Sequence, residues 1–210
     1  RCDYRCSITF LNSNLQVLIN PMKHFFFLLL TVLFLSPVAA FAQEMTPPET
    51  EAKQAIIIDF ETGTILYEKN ADEKMPTSSM SKVLTTVVAY DAIRAGKIKM
   101  DDMLPVSERA WKTGGSRMFL DLNTTVKVED LIKGIVIQSG NDACVVLAEG
   151  IAGTEENFAE LMNRKAVEIG MDNSHFMNSN GWPDPNHYST ARDLAKLGMY
   201  LIKEYPEDYK

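Results

Sequence analysis

One stretch constrains this chain more than any other: Pro76-Thr77-Ser78-Ser79-Met80-Ser81-Lys82 and the apolar run from Val83 to Ala89 behind it. Val83, Leu84, Val87, Val88 and Ala92 recur at three- and four-residue steps, which predicts a helix largely buried in a core. Pro76 stops the chain ahead of it, and Thr77 or Ser78 is placed to cap the first turn. Ser79 and Lys82 then stack on one face, at the positive end of the helix dipole. A lysine in a dry pocket is driven towards its neutral form, and a neutral amine can take a serine's proton. Taken alone, the same pattern also describes a capped core helix with a solvated lysine.

The rest of the chain sets the context. Its 210 residues, 46% of them hydrophobic, suit one globular domain with part of a second. A net charge of −7 without a basic cluster argues against a nucleic-acid partner. Residues 1–21 show no period and read as an upstream extension. Met22-Lys23-His24, the apolar Phe25 to Leu35, Pro37 and Ala40-Phe41-Ala42 have the three parts of a secretory leader, with cleavage expected after Ala42. The apolar run is short for a bilayer anchor. Loss of residues 1–42 would remove Cys2 and Cys6, leaving Cys144 alone in an apolar run and so a small buried hydrophobe. No Cys/His cluster has metal spacing; His175 and His187 stand apart and read as loop histidines. No cofactor is expected.

After a polar linker over residues 43–53, Ala55–Phe60 and Thr64–Glu68 flank Glu61-Thr62-Gly63 and predict a hairpin. Lys97 to Leu104 reads as loop, Ser107 to Lys112 as one helical turn, and Thr125 to Gly134 as a helix start. Ala143 to Ile151 is apolar on nearly every side and predicts a buried helix, closed by Gly153 and capped by Ser139 or Asn141. Thr154 opens a helix with Phe158, Leu161, Met162, Ala166 and Ile169 as its core stripe, ended by Gly170. A long loop from Asp172 to Tyr188 precedes a last helix, Ala191 to Lys203, with Thr190 and Asp193 as a capping box. Arg192 and Asp193 are expected to sit exposed on that cap. Long helices against a small antiparallel sheet place the fold in the α/β, or α+β, layered class.

Ser139-Gly140-Asn141 pairs with the first stretch. A hydroxyl and a carboxamide two apart, on a tight glycine turn between apolar helices, can point into one cleft. The order Ser-x-x-Lys then Ser-x-Asn, behind a leader, is far more specific than either motif.

With these motifs, residues from about Gln54 to Tyr205 resemble the serine-type D-alanyl-D-alanine carboxypeptidases, the low-molecular-mass penicillin-binding proteins of the S11 peptidases, which have a β-lactamase/transpeptidase-like fold. The matching segments include the hairpin, Ser116-Arg117-Met118-Phe119-Leu120, Gln138 to Cys144 and Tyr188 to Asp193. The resemblance implies that Ser79 attacks the carbonyl between two terminal D-alanines of a peptidoglycan stem peptide. Lys82 would be the base, Ser139 the proton relay to the departing D-alanine, and Asn141 the holder of the peptide amide. The Ser79 N–H would form half of an oxyanion hole. β-Lactams would acylate Ser79 as substrate mimics. The protein would work in the periplasm, attached to the inner membrane through a segment beyond Lys210.

Two departures bear on this. The family pattern puts a Lys-Thr-Gly on a strand after Ser-x-Asn, whereas Lys112-Thr113-Gly114 comes before it and reads as loop. Residues 54–210 are therefore read as an incomplete catalytic domain whose last strands follow Lys210, and apolar surface is expected to stand exposed where they belong. The alternatives are a serine β-lactamase, which needs a water-activating carboxylate that no Glu-x-x-Leu-Asn-like turn supplies here, and a non-catalytic peptidoglycan-binding scaffold.

Overall fold

The order of elements follows from where apolar periodicity starts and stops. In the computed structural model, residues 48–209 are described; residues 1–42, with the leader, and the first part of the linker lie outside them. Strands β1 (Ala55–Ile58) and β2 (Ile65–Lys69) pair antiparallel, Ala55 opposite Lys69 and Ile57 opposite Tyr67, with a bulge between Ile57 and Ile58. Asp59 builds the turn: its carboxylate accepts from the Thr62 N–H at 2.8 Å and its carbonyl from the Gly63 N–H at 2.8 Å. Gly63 sits at φ +70°, a value that favours glycine.

A 3₁₀ turn, Ser78–Met80, leads into helix α1 (Ser81–Arg94). Neither Thr77 nor Ser78 caps it through a side chain, contrary to expectation. The Thr77 hydroxyl instead meets Ser81 Oγ at 2.6 Å. Strand β3 (Met103–Pro105) follows, then the short α2 (Glu108–Lys112), capped by Ser107 through the Ala110 N–H at 3.0 Å. Strand β4 (Thr125–Lys127) pairs antiparallel with β3 and runs directly into α3 (Val128–Gln138). This pair was not expected: residues 97–104 read as loop and Thr125 as the start of a helix. The helix starts three residues later because its first donors need acceptors. Val128 N–H bonds the Asp102 carbonyl and Glu129 N–H the Met100 carbonyl, both at 3.0 Å.

Helices α4 (Asn141–Ala152) and α5 (Glu155–Ile169) come next, then a long loop, α6 (Ala191–Glu204) and one turn, α7 (Pro206–Tyr209). Thr154 and Thr190 cap α5 and α6, and Gly153 and Gly170 close α4 and α5. All residues from Asn141 to Ala148 are buried, so α4 is the central helix. Leu84, Val87, Cys144, Leu147, Phe158 and Met162 join α1, α4 and α5 in one core. Each such side chain stabilises the fold by about 1.5–3 kcal/mol through burial. Tyr205 ties α6 to α1: its hydroxyl bonds Asp91, and Arg94 stacks on its ring at 3.8 Å. Ile57, Ile65 and Leu66 of the hairpin and Val136 and Ile137 of α3 stand exposed.

Asp193 corrects another expectation. It is 1% exposed, and its carboxylate accepts from the Asn173 N–H and the Ser174 hydroxyl, both at 2.8 Å. The cap thus fastens α6 to the long loop. Arg192 bridges to Glu68 of β2 and to Asp72.

Candidate active site

Ser79 lies in the middle of the 3₁₀ turn, and Lys82 one turn further on in α1. Lys82 Nζ donates to Ser79 Oγ at 3.0 Å. Ser139, from the end of α3, donates its hydroxyl to the same Ser79 Oγ at 2.9 Å. Two groups from two helix ends therefore meet on the Ser79 oxygen, and the three residues share one site. They line a cleft of about 570 Å³, walled on its apolar side by Val83, Tyr90, Ile135 and Leu201. Lys82 is 5% exposed, and burial lowers its pKa from the usual lysine range, against a smaller opposing effect from Cys144. A neutral amine is a proton acceptor, so burial directs this lysine towards base chemistry.

Ser139 reaches Ser79 because its own backbone is left-handed, φ 57° and ψ 38°. The turn was expected to be made by Gly140, which has an ordinary φ of −62°. Space is tight around Gly140: a Cβ there would come within 3.2 Å of both the Met118 side chain and Asp142 Oδ1. Ser78, ahead of the nucleophile, is also left-handed at φ 46°. Such residues cost on the order of 1–3 kcal/mol and persist where their surroundings over-determine them. Here Gly181 presses on the turn so closely that a Cβ on it would fall 1.8 Å from the Ser78 carbonyl oxygen.

Asn141 is buried but is not hydrogen-bonded to Ser79, Lys82 or Ser139 among the described residues. Its carboxamide nitrogen donates to the Gly114 carbonyl at 2.9 Å, and its N–H bonds the Ser116 carbonyl at 2.8 Å. Neither Asn141 nor Ser139 caps α4. The Lys-Thr-Gly triad lies on no strand: Lys112 is the last residue of α2, its ammonium pairing with Glu108 at 2.5 Å on the surface, and Thr113 and Gly114 are loop. Sequence reasoning missed that its glycine anchors Asn141. Gly115 at φ +78° leaves room for this, since a Cβ there would lie 2.7 Å from Asn141 Nδ2. The Gly-Gly pair was the available signal of a close approach. Also missed were Asp142, whose carboxylate holds the N–H groups of Met118 and Leu120, and the buried His187.

Like Asp142 and Asp193, Glu155 is buried. Its oxygens go to Arg109 at 2.6 Å and to the Ser179 hydroxyl at 2.6 Å, not to the cleft. Among the described residues no carboxylate is hydrogen-bonded to Ser79 or Lys82, and no group of His, Cys, Asp or Glu could hold a metal ion. No described helix is long and apolar enough to cross a membrane.

This geometry sets a serine hydroxyl beside a buried lysine and a second serine, and the comparisons give the chain its family. The family model described as "D-alanyl-D-alanine carboxypeptidase", peptidase S11, matches residues 41–210. The chain belongs to that family. It is 44% identical over 185 residues to the D-alanyl-D-alanine carboxypeptidase DacC of Escherichia coli K12, covering 84% of this chain and 46% of that protein. Its fold is similar to that of penicillin binding protein 5 from Haemophilus influenzae, with TM-score 0.76 and 42% identity over 79% of this chain and 49% of the other. It is also similar to Penicillin-Binding Protein D2 of Listeria monocytogenes in its ampicillin-bound form, TM-score 0.69 and 28% identity, over 77% and 66% of the two chains. The chain spans about half the length of the curated relatives it matches. The α/β fold class expected from the sequence is that of these neighbours.

Proposed function

We propose that the whole protein is a serine-type D-alanyl-D-alanine carboxypeptidase acting on peptidoglycan stem peptides. The observation that supports this most is the convergence of Lys82 Nζ and Ser139 Oγ on Ser79 Oγ, at 3.0 and 2.9 Å. Ser79 Oγ attacks the carbonyl carbon of the penultimate D-alanine as Lys82 takes its proton. The backbone N–H of Ser79 stabilises the oxyanion. The C–N bond then breaks, and the departing D-alanine amine receives a proton through Ser139. Water hydrolyses the ester and frees Ser79. Asn141 spends one N–H on Gly114, leaving its second N–H and its oxygen for the peptide amide. A β-lactam enters the same path and stays as an ester on Ser79, in keeping with the ampicillin-bound Listeria relative. Residues 22–42 direct export, so the enzyme works outside the cytoplasmic membrane.

Labelling of the whole protein with a fluorescent penicillin, beside release of D-alanine from a pentapeptide, tests this. Label and release in the wild type, both lost in Ser79→Ala, are expected. A wild type that takes no label overturns the reading, and rapid penicillin turnover without D-alanine release replaces it with a β-lactamase.

A further inference from the structure

Behind the turn that carries Ser79 lies a buried run of polar side chains that the reaction does not touch. Thr77, Ser81 and His187 are 1%, 0% and 5% exposed. Ser81 Oγ lies 2.6 Å from Thr77 Oγ1 and 2.8 Å from His187 Nε2. On the other side of the ring, Nδ1 accepts the Met177 N–H at 3.2 Å. A neutral imidazole has one proton, and an accepting Nδ1 puts it on Nε2. His187 therefore donates to Ser81 Oγ, which in turn shares a hydrogen bond with the Thr77 hydroxyl. Thr77 and Ser81 flank Ser78–Met80, so their bond closes a brace over the left-handed turn.

We propose that His187 is a positioning residue for Ser79: as the neutral Nε2–H tautomer it orients the Ser81 and Thr77 hydroxyls that brace residues 77–81, and its protonation releases that brace. The proposal rests on the acyl-enzyme reading above. A protonated ring keeps its Nε2–H but brings an Nδ1–H against the Met177 N–H, donor facing donor; that bond would be lost, and the ring would turn off Met177 and draw its Nε2–H away from Ser81. Burial opposes the charged form; Asp184 favours it and His175 opposes it. The Phe176 and His187 rings pack nearly perpendicular, with centroids 5.3 Å apart. On α1 the nearest charge in sequence, Lys82, turns to Ser79, and on α5 Glu155 turns to Arg109 and Ser179. The brace is thus intact at neutral pH and fails as pH falls through the His187 titration.

Penicillin acylation rates of the whole protein, measured from mildly acid to neutral pH, test this in the wild type, His187→Gln and His187→Ala. At neutral pH the glutamine amide can still donate to Ser81, so His187→Gln should stay within about threefold of wild type, while His187→Ala should fall about tenfold or more through misplacement of Ser79. The glutamine variant should also lose the part of the acid decline that follows His187. Two NMR readouts are independent of acylation: the imidazole ¹⁵N shifts should report Nε2–H, and the Ser79 amide should move with the His187 titration in the wild type but not in His187→Gln. An Nδ1–H tautomer, or a Ser79 amide indifferent to His187, overturns the proposal. So do equal acylation rates in all three proteins at every pH. A wild type that takes no penicillin overturns the functional reading instead, and the NMR readouts still decide the brace.

Discussion

The Asn141 carboxamide nitrogen and the Gly114 carbonyl oxygen are 2.9 Å apart, so the Ser-Gly-Asn turn is held in place by the loop glycine of Lys112-Thr113-Gly114. That contact depends on Gly115. Gly115→Ala would force a side chain into a left-handed backbone, at about 1–2 kcal/mol, and drive its Cβ to 2.7 Å from Asn141 Nδ2. Thermal denaturation should show a lowered Tm, and penicillin acylation should slow beyond what that loss of stability explains.

The depressed pKa of Lys82 sets the direction of a pH profile. The amine accepts a proton only when neutral, so acylation should rise with pH through a value below the usual lysine pKa of about 10.4. Lys82→Arg holds its charge at every pH. Its acylation rate should be about 10²–10⁴-fold lower and lack this rise.

His187 contributes to stability with the opposite emphasis. Its folded pKa is lowered by burial, so as pH drops below about 6.5 the unfolded chain takes up a proton before the folded one does. Stability should therefore fall on acidification through that window. Denaturant titrations should show a smaller fall for His187→Gln.

Arg109 and Glu155 form an unequal pair, with the arginine half exposed and the glutamate buried. Arg109→Ala should cost only about 1 kcal/mol, because solvent and Ser179 still satisfy the carboxylate in part. Glu155→Ala should cost about 1–3 kcal/mol by leaving the buried Ser179 N–H and hydroxyl without their acceptor. Denaturant unfolding of both variants compares them.

At the start of α6, Thr190→Ala removes the acceptor of the Asp193 N–H. A loss of about 0.5–2 kcal/mol is expected, read as a lower Tm with the cleft chemistry unchanged.

What could be read from the sequence was local. The hairpin turn at Asp59–Gly63, the periodicity of α1 and α4, and the caps at Thr154, Thr190 and Gly170 each act within a few residues. So does the stacking of Ser79 and Lys82. What escaped depends on distant partners. Three-residue strands such as Met103–Pro105 are too short to carry a period, and only pairing with Thr125–Lys127 defines them. The left-handed backbones of Ser78 and Ser139 carry no signal in a serine codon, because packing imposes them. The anchor of Asn141 is the Gly114 carbonyl, 27 residues away in the chain, where no local pattern points to it. His187 looked like a loop histidine; its burial against Ser81 needed the whole loop in place.

Ser81 and His187 are 106 residues apart in the chain, and Met75 pairs across a similar span with Ser189. The nucleophile turn therefore emerges during synthesis long before the segment that braces it. Contacts of such sequence separation form late and slow folding. Until that segment arrives, the contact of Gly181 that presses on the left-handed Ser78 and the bond from His187 to Ser81 are both missing. A nascent chain would thus carry Ser79 on an unbraced turn, and that turn would become ordered only when the second half of the chain has docked.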